Sequence, residues 1–103
     1  MGRGNAAVED AHLTICGALS DMGCIYDISI DNRGGSRSRY IFVRKPVQLK
    51  IRVSDHGSDR IDKEKVRSKV EIIDVRTDGR GMTAEDSIAR ICEVLNKGQG
   101  AET

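Results

Sequence analysis

Residues 47–53, Val-Gln-Leu-Lys-Ile-Arg-Val, alternate apolar and polar side chains without a fault. Successive side chains of a strand point to opposite faces. The run is therefore read as a strand with Val47, Leu49, Ile51 and Val53 on a buried face and Gln48, Lys50 and Arg52 on the other. A strand with one apolar face needs neighbours to pair with and a second layer to cover it.

The flanking sequence supplies both. In Cys24–Asp31, Tyr26, Ile28 and Ile30 alternate with Asp27, Ser29 and Asp31. Asn32-Arg33-Gly34-Gly35 has the chemistry of a tight turn, so Ser36–Arg44 is expected to return as a hairpin partner until Lys45-Pro46 stops it. That returning strand is expected to put Tyr40 and Phe42 on one face and Arg37, Arg39, Ile41 and Val43 on the other. Lys69–Arg76 is apolar on both faces and makes a fourth strand. Between the third and fourth, residues 54–68 are polar and predict a long mobile connection holding at most a helical turn.

Two helices frame these strands. Over residues 6–22, Val8, His12, Ile15, Leu19 and Met22 form one apolar stripe, with Asn5 placed to cap the start and Gly23 to stop the end. Thr83 caps a second helix with the stripe Ile88, Ile91, Cys92 and Leu95, closed by Lys97-Gly98. The order predicts an α+β fold: a two-layer sandwich, helix–four-stranded mostly antiparallel sheet–helix, with both helices on one sheet face. Its 103 residues make a single domain, 1–103, with an ordered core over about 5–98 and a flexible tail at 99–103.

Charge is distributed unevenly along this scaffold. Residues 1–31 carry net −4 and residues 55–103 net −2, while residues 32–54 hold seven basic side chains and no acid, for a chain total of +1. The sheet face left open by the helices is expected to display Asp27, Asp31, Arg37, Arg39, Ile41, Val43, Lys50 and Arg52. Arginines among β-branched aliphatics suit a partner-binding surface, because an interface wants apolar contact at its centre and arginine as an anchor. A second copy of the chain is one candidate partner, with Asp27 and Asp31 meeting Arg37 and Arg39 of the other copy. The plain alternative is a solvated face balanced by nearby acids.

Catalytic and metal chemistry find little support. Ser54-Asp55-His56 are triad residue types, but neighbours on one strand end do not reproduce triad geometry, and turn capping is the simpler role. His12 and Cys16 have a chelating i, i+4 spacing, yet the chain has no Cys-x-x-Cys pair, His12 shares the apolar stripe, and a cysteine there is expected as a small buried hydrophobe. Gly34-Gly35 and Gly79-Arg80-Gly81 are too short for phosphate loops. The expectation is a non-enzymatic binding protein with no metal and no cofactor. Cys16, Cys24 and Cys92 are an odd number, expected to stay free in a reducing cytoplasm, and no apolar run is long enough to span a membrane. With only Tyr26, Tyr40 and Phe42 as aromatics, direct nucleic-acid binding by base stacking is the less favoured reading.

The run Ser36-Arg-Ser-Arg-Tyr40, followed by Ile51-Arg-Val-Ser-Asp-His56, resembles a segment of small proteins from phages and mobile elements. In size and helix–sheet–helix plan the chain also resembles anti-CRISPR proteins. That resemblance implies a stoichiometric phage-encoded inhibitor, in the host bacterial cytoplasm, that docks on a Cas effector complex and blocks DNA recognition. The group shares no common motif, so it assigns no residue a role. The competing expectation is a small nucleic-acid-binding accessory protein using the basic strands 33–52.

Overall fold

The computed structural model describes residues 2–31 and 38–100. Helix α1 (Gly2–Asp21) leads into strands β1 (Ile25–Asp31), β2 (Ser38–Lys45) and β3 (Leu49–Ser54), helix α2 (Asp59–Arg67), strand β4 (Glu71–Arg76) and helix α3 (Ala84–Gly100). One four-stranded sheet has the order β1-β2-β3-β4. The β1–β2 and β2–β3 pairs are antiparallel, whereas β4 lies parallel to β3. The α+β class and the mostly antiparallel sheet are as the alternation predicts. The expected turn at 32–35 and the end of the tail at 101–103 lie outside the described residues.

The helix stripe of α1 is buried as its spacing requires: Val8, His12, Ile15 and Leu19 are all inside, with Met22 half-buried. The helix starts earlier than expected, at Gly2, so Asn5 lies within it and does not cap it. Its end is a Schellman turn. Gly23 adopts φ +75, and the Gly23 and Cys24 amides donate to the Ser20 and Leu19 carbonyls. Helix α3 is capped at Thr83, whose Oγ1 accepts from the Asp86 amide at 3.1 Å. It continues through Gly98, and Cys92 is exposed while Ser87, Ile91 and Leu95 face inward.

The core lies between α1, α3 and one sheet face, where Ile41, Val43, Leu49, Ile51, Val53, Ile73 and Val75 join the helix stripes. The largest departure from expectation is the connection between β3 and β4. Instead of a mobile loop it contains α2, capped by Ser58 Oγ, which accepts from the Ile61 amide at 3.3 Å. This helix is what allows β4 to run parallel to β3, since parallel neighbours need a crossover. It also covers the second sheet face. Lys50, Arg52 and Ser54 alternate with the core residues of β3, and α2 meets that side through Glu64 on Lys50 and Lys65 on Asp74. Ile61 is fully buried beneath it, apart from the main core. The molecule thus has helices on both faces at β3 and β4, and an open face only over β1, β2 and part of β3.

Candidate binding surface

The register decides which expected site residues are available. Ile41 pairs with Ile51, Val43 with Leu49 and Arg39 with Val53, so all three β2 residues lie on the helix-covered side. Ile41 is 0% exposed and Val43 is 2% exposed. This corrects the expected open face, because two residues assigned to partner contact are core residues. Arg39 is on that side too, within 2.8 Å of Glu9 on α1, although Glu9 Oε1 and Arg39 Nε complete no hydrogen bond. The error has a physical source. In β2 both alternating sets are apolar, Tyr40 with Phe42 and Ile41 with Val43, so periodicity fits either phase, and one step of register exchanges the faces.

Arg52 points to the second face as expected but is 1% exposed. Its Nη1 donates to Asp74 Oδ1 and to the His56 carbonyl, both at 3.0 Å, and its Nη2 lies 3.3 Å from His56 Nδ1. Arg52 therefore ties β3, β4 and the start of the β3–α2 loop together, and it is closed to a partner. Arg37 lies outside the described residues, and Asp31 ends β1 opposite Ser38 with its side chain likewise undescribed. Asp27 is exposed and forms a cross-strand ion pair with Arg44, which lies diagonally across β1 and β2 from it.

The same register turns Tyr40 and Phe42 outward on an inner strand of the sheet. Phe42 is 39% exposed and Tyr40 half-buried. Lys50 on β3 lies beside both, its Nζ 5.4 Å from the Tyr40 ring centre and 5.6 Å from that of Phe42, within cation–π range. Glu64 of α2 holds that ammonium at 2.7 Å, so its position is fixed. Next to Phe42 a groove of about 350 Å³ is lined by Phe42, Val43, Arg44, Gln48, Leu49, Lys50, Ser68 and Val70. Two basic side chains and no carboxylate line it. The alternation of β2 shows the aromatic pair but, taken in the phase that turns Ile41 and Val43 outward, places it inward and away from Lys50.

The other chemical candidates resolve into structural roles. Ser54 Oγ donates to the His56 carbonyl at 2.7 Å, His56 Nδ1 lies 2.9 Å from the Gly57 carbonyl, and Asp55 is exposed. These three are not arranged as nucleophile, base and orienting acid. His12 Nε2 lies 3.8 Å from Cys16 Sγ, and among the described residues no three His, Cys, Asp or Glu side chains are grouped to hold a metal. Burial pushes the His12 pKa down, assisted by the Arg39 charge, and burial pushes the Cys16 thiol up. Cys16, Cys24 and Cys92 carry free thiols, and no described helix is long and apolar enough to cross a membrane.

Arg39 and Tyr40 pair with Val53 and Arg52, so these parts of β2 and β3 are neighbours in the sheet. Comparison with protein-family models, curated proteins and solved structures finds no match to this chain.

Proposed function

We propose that the chain is a non-enzymatic binding protein that takes a short single-stranded nucleic acid across its open sheet face. Bases would stack on Phe42 and Tyr40, and Arg44 and Lys50 would meet the phosphates by exchanging their present partners, Asp27 and Glu64, for them. The observation carrying this reading is the outward aromatic pair on an inner strand, beside a fixed ammonium and a groove without carboxylates. Aromatic faces accept any base, and cations alongside follow the backbone. Aromatics are scarce in the whole chain, but two on one face are enough for two successive bases.

The inhibitor of a Cas effector complex, implied by resemblance, drew its interface from arginines among exposed aliphatics. With Ile41 and Val43 in the core and Arg39 and Arg52 paired internally, that patch no longer favours it. The nucleic-acid reading needs none of those residues.

Fluorescence anisotropy with labelled oligothymidine and oligouridine tests it. Binding should weaken steeply with salt, by a log–log slope of about −0.7 per phosphate contacted. Phe42→Ala should fold normally and lose about 1–3 kcal/mol of binding, the worth of one stacked base. If Phe42→Ala binds like the parent, or the parent binds no oligonucleotide at low salt, the reading is wrong. Co-purification with a Cas complex in that second case would restore the inhibitor.

A further inference from the structure

We propose that the chain forms a two-fold homodimer by pairing its β1 strand with the β1 strand of a second copy, joining the two sheets into one. Strand β1 is an edge strand, and among the described residues no strand pairs with its outer side. Natural edge strands are usually blunted by charged side chains, above all lysine, by proline, by bulges or by a covering element. Strand β1 carries Asp27 and Asp31 and a bulge at its Ile25/Tyr26 end, but no lysine or proline along its length. It exposes Ile25 at 56%, Ile28 at 48% and Ile30 at 44%.

The exposed isoleucines do not stand alone. Ile28 and Ile30 lie on the α1 side of the sheet, since they pair with Ile41 and Arg39. The Tyr26 hydroxyl on that side donates to the Cys16 carbonyl and meets Ser20 Oγ, so the flank of α1 carrying Cys16 and Ser20 overhangs β1. Leu13 precedes these residues at helical spacing on the same flank and is 58% exposed. An apolar patch therefore continues from the strand edge onto the helix.

Charge selects a second copy as the occupant and fixes its register. With Ile28 on the two-fold axis of an antiparallel pair, Ile28 meets Ile28 of the second copy, Tyr26 meets its Ile30, and Asp27 meets its Ser29. No acid then faces an acid. Sliding the pair two residues one way sets Asp27 against Asp27, and two residues the other way sets Asp27 against Asp31; like charges directly opposite are destabilising. In the favoured register the acidic end of one β1, at Asp31, comes beside Ile25 of the other, where the adjacent β2 strand ends in Arg44 and Lys45. The arrangement is isologous, as a closed dimer requires.

Sedimentation velocity from about 1 to about 100 μM, a range spanning ordinary dimer affinities, tests this without any nucleic acid. The expected result is a species of twice 11.3 kDa at high concentration. Ile28→Lys should be monomeric there with an unchanged circular dichroism spectrum. In a background with Cys24 and Cys92 replaced by Ser, Ile28→Cys should give a disulfide-linked dimer under mild oxidation, and Ile25→Cys should not. A parent that stays monomeric at the highest concentration overturns the proposal, as does a dimer that survives Ile28→Lys. Should Ile28→Lys misfold, the Ile28→Cys cross-link decides alone. Oligonucleotide binding that persists in a monomeric Ile28→Lys leaves the open-face reading standing whatever the dimer result.

Discussion

Arg52 carries a charge where water barely reaches, its side chain 2% exposed against an Asp74 side chain at 8%. Breaking a buried pair by removing one partner leaves the other uncompensated, at a cost of about 3–5 kcal/mol. Arg52→Met should therefore lower the urea midpoint by that equivalent with little change in slope. Asp74→Asn should do the same to a lesser degree, because the asparagine Oδ1 can still accept from Arg52 Nη1, which also keeps the His56 carbonyl. His12 supplies a second residue-scale test. Its folded pKa lies below the ordinary 6.5, so the unfolded chain binds the proton more readily. Its contribution to stability is complete above pH 6.5 and is lost as pH falls below that value toward the folded pKa. Melting curves of the parent should shift down over this window. In His12→Gln the shift should be smaller, although the variant is weaker at neutral pH. Sequence spacing found His12 on the buried stripe and gave Arg52 its correct direction. It did not find what covers Arg52.

That cover is α2, whose sequence hides it. Of Asp59–Arg67 only Ile61 is buried, and Val66 is 85% exposed, so no apolar stripe repeats at helical spacing. The legible signals were at the ends: Ser58 as cap, Asp59 and Asp62 in the first turn, Lys65 and Arg67 in the last, all matched to the helix dipole. A helix with one buried side chain has a simple vulnerability. Ile61→Ala should cost about 2–5 kcal/mol, the usual range for a buried isoleucine truncation. Hydrogen exchange should show residues 59–67 losing protection before β2 and β3 do. By contrast β3, the stripe of α1 and, apart from the exposed Cys92, the stripe of α3 are readable, because each has one phase in which its apolar residues coincide. The β2 strand has two such phases, and only its pairing with β3 separates them.

Across the whole molecule, the +7 segment does not become a +7 surface. Glu9 takes Arg39, Asp74 takes Arg52, Asp27 takes Arg44 and Glu64 takes Lys50, so acids from α1, β1, α2 and β4 divide a charge that is continuous only along the chain. Linear charge counting finds the basic segment without finding these partners, which explains why the expected surface was only partly recovered. The dimer would restore breadth to the open side. Both copies would present Tyr40 and Phe42 on the same face, with their β2 strands three strand spacings apart, about 14 Å.

The first and last helices, α1 and α3, lie side by side over the core. A ribosome has therefore made all four strands before it reaches Ala84, and Ile73 and Val75 on β4 wait for the Ile91 and Leu95 that will cover them. The nascent protein cannot close this core before α3 is made, because residues of α3 are part of it. It must hold a greasy sheet surface open to chaperones and to other growing chains until translation of α3 is finished.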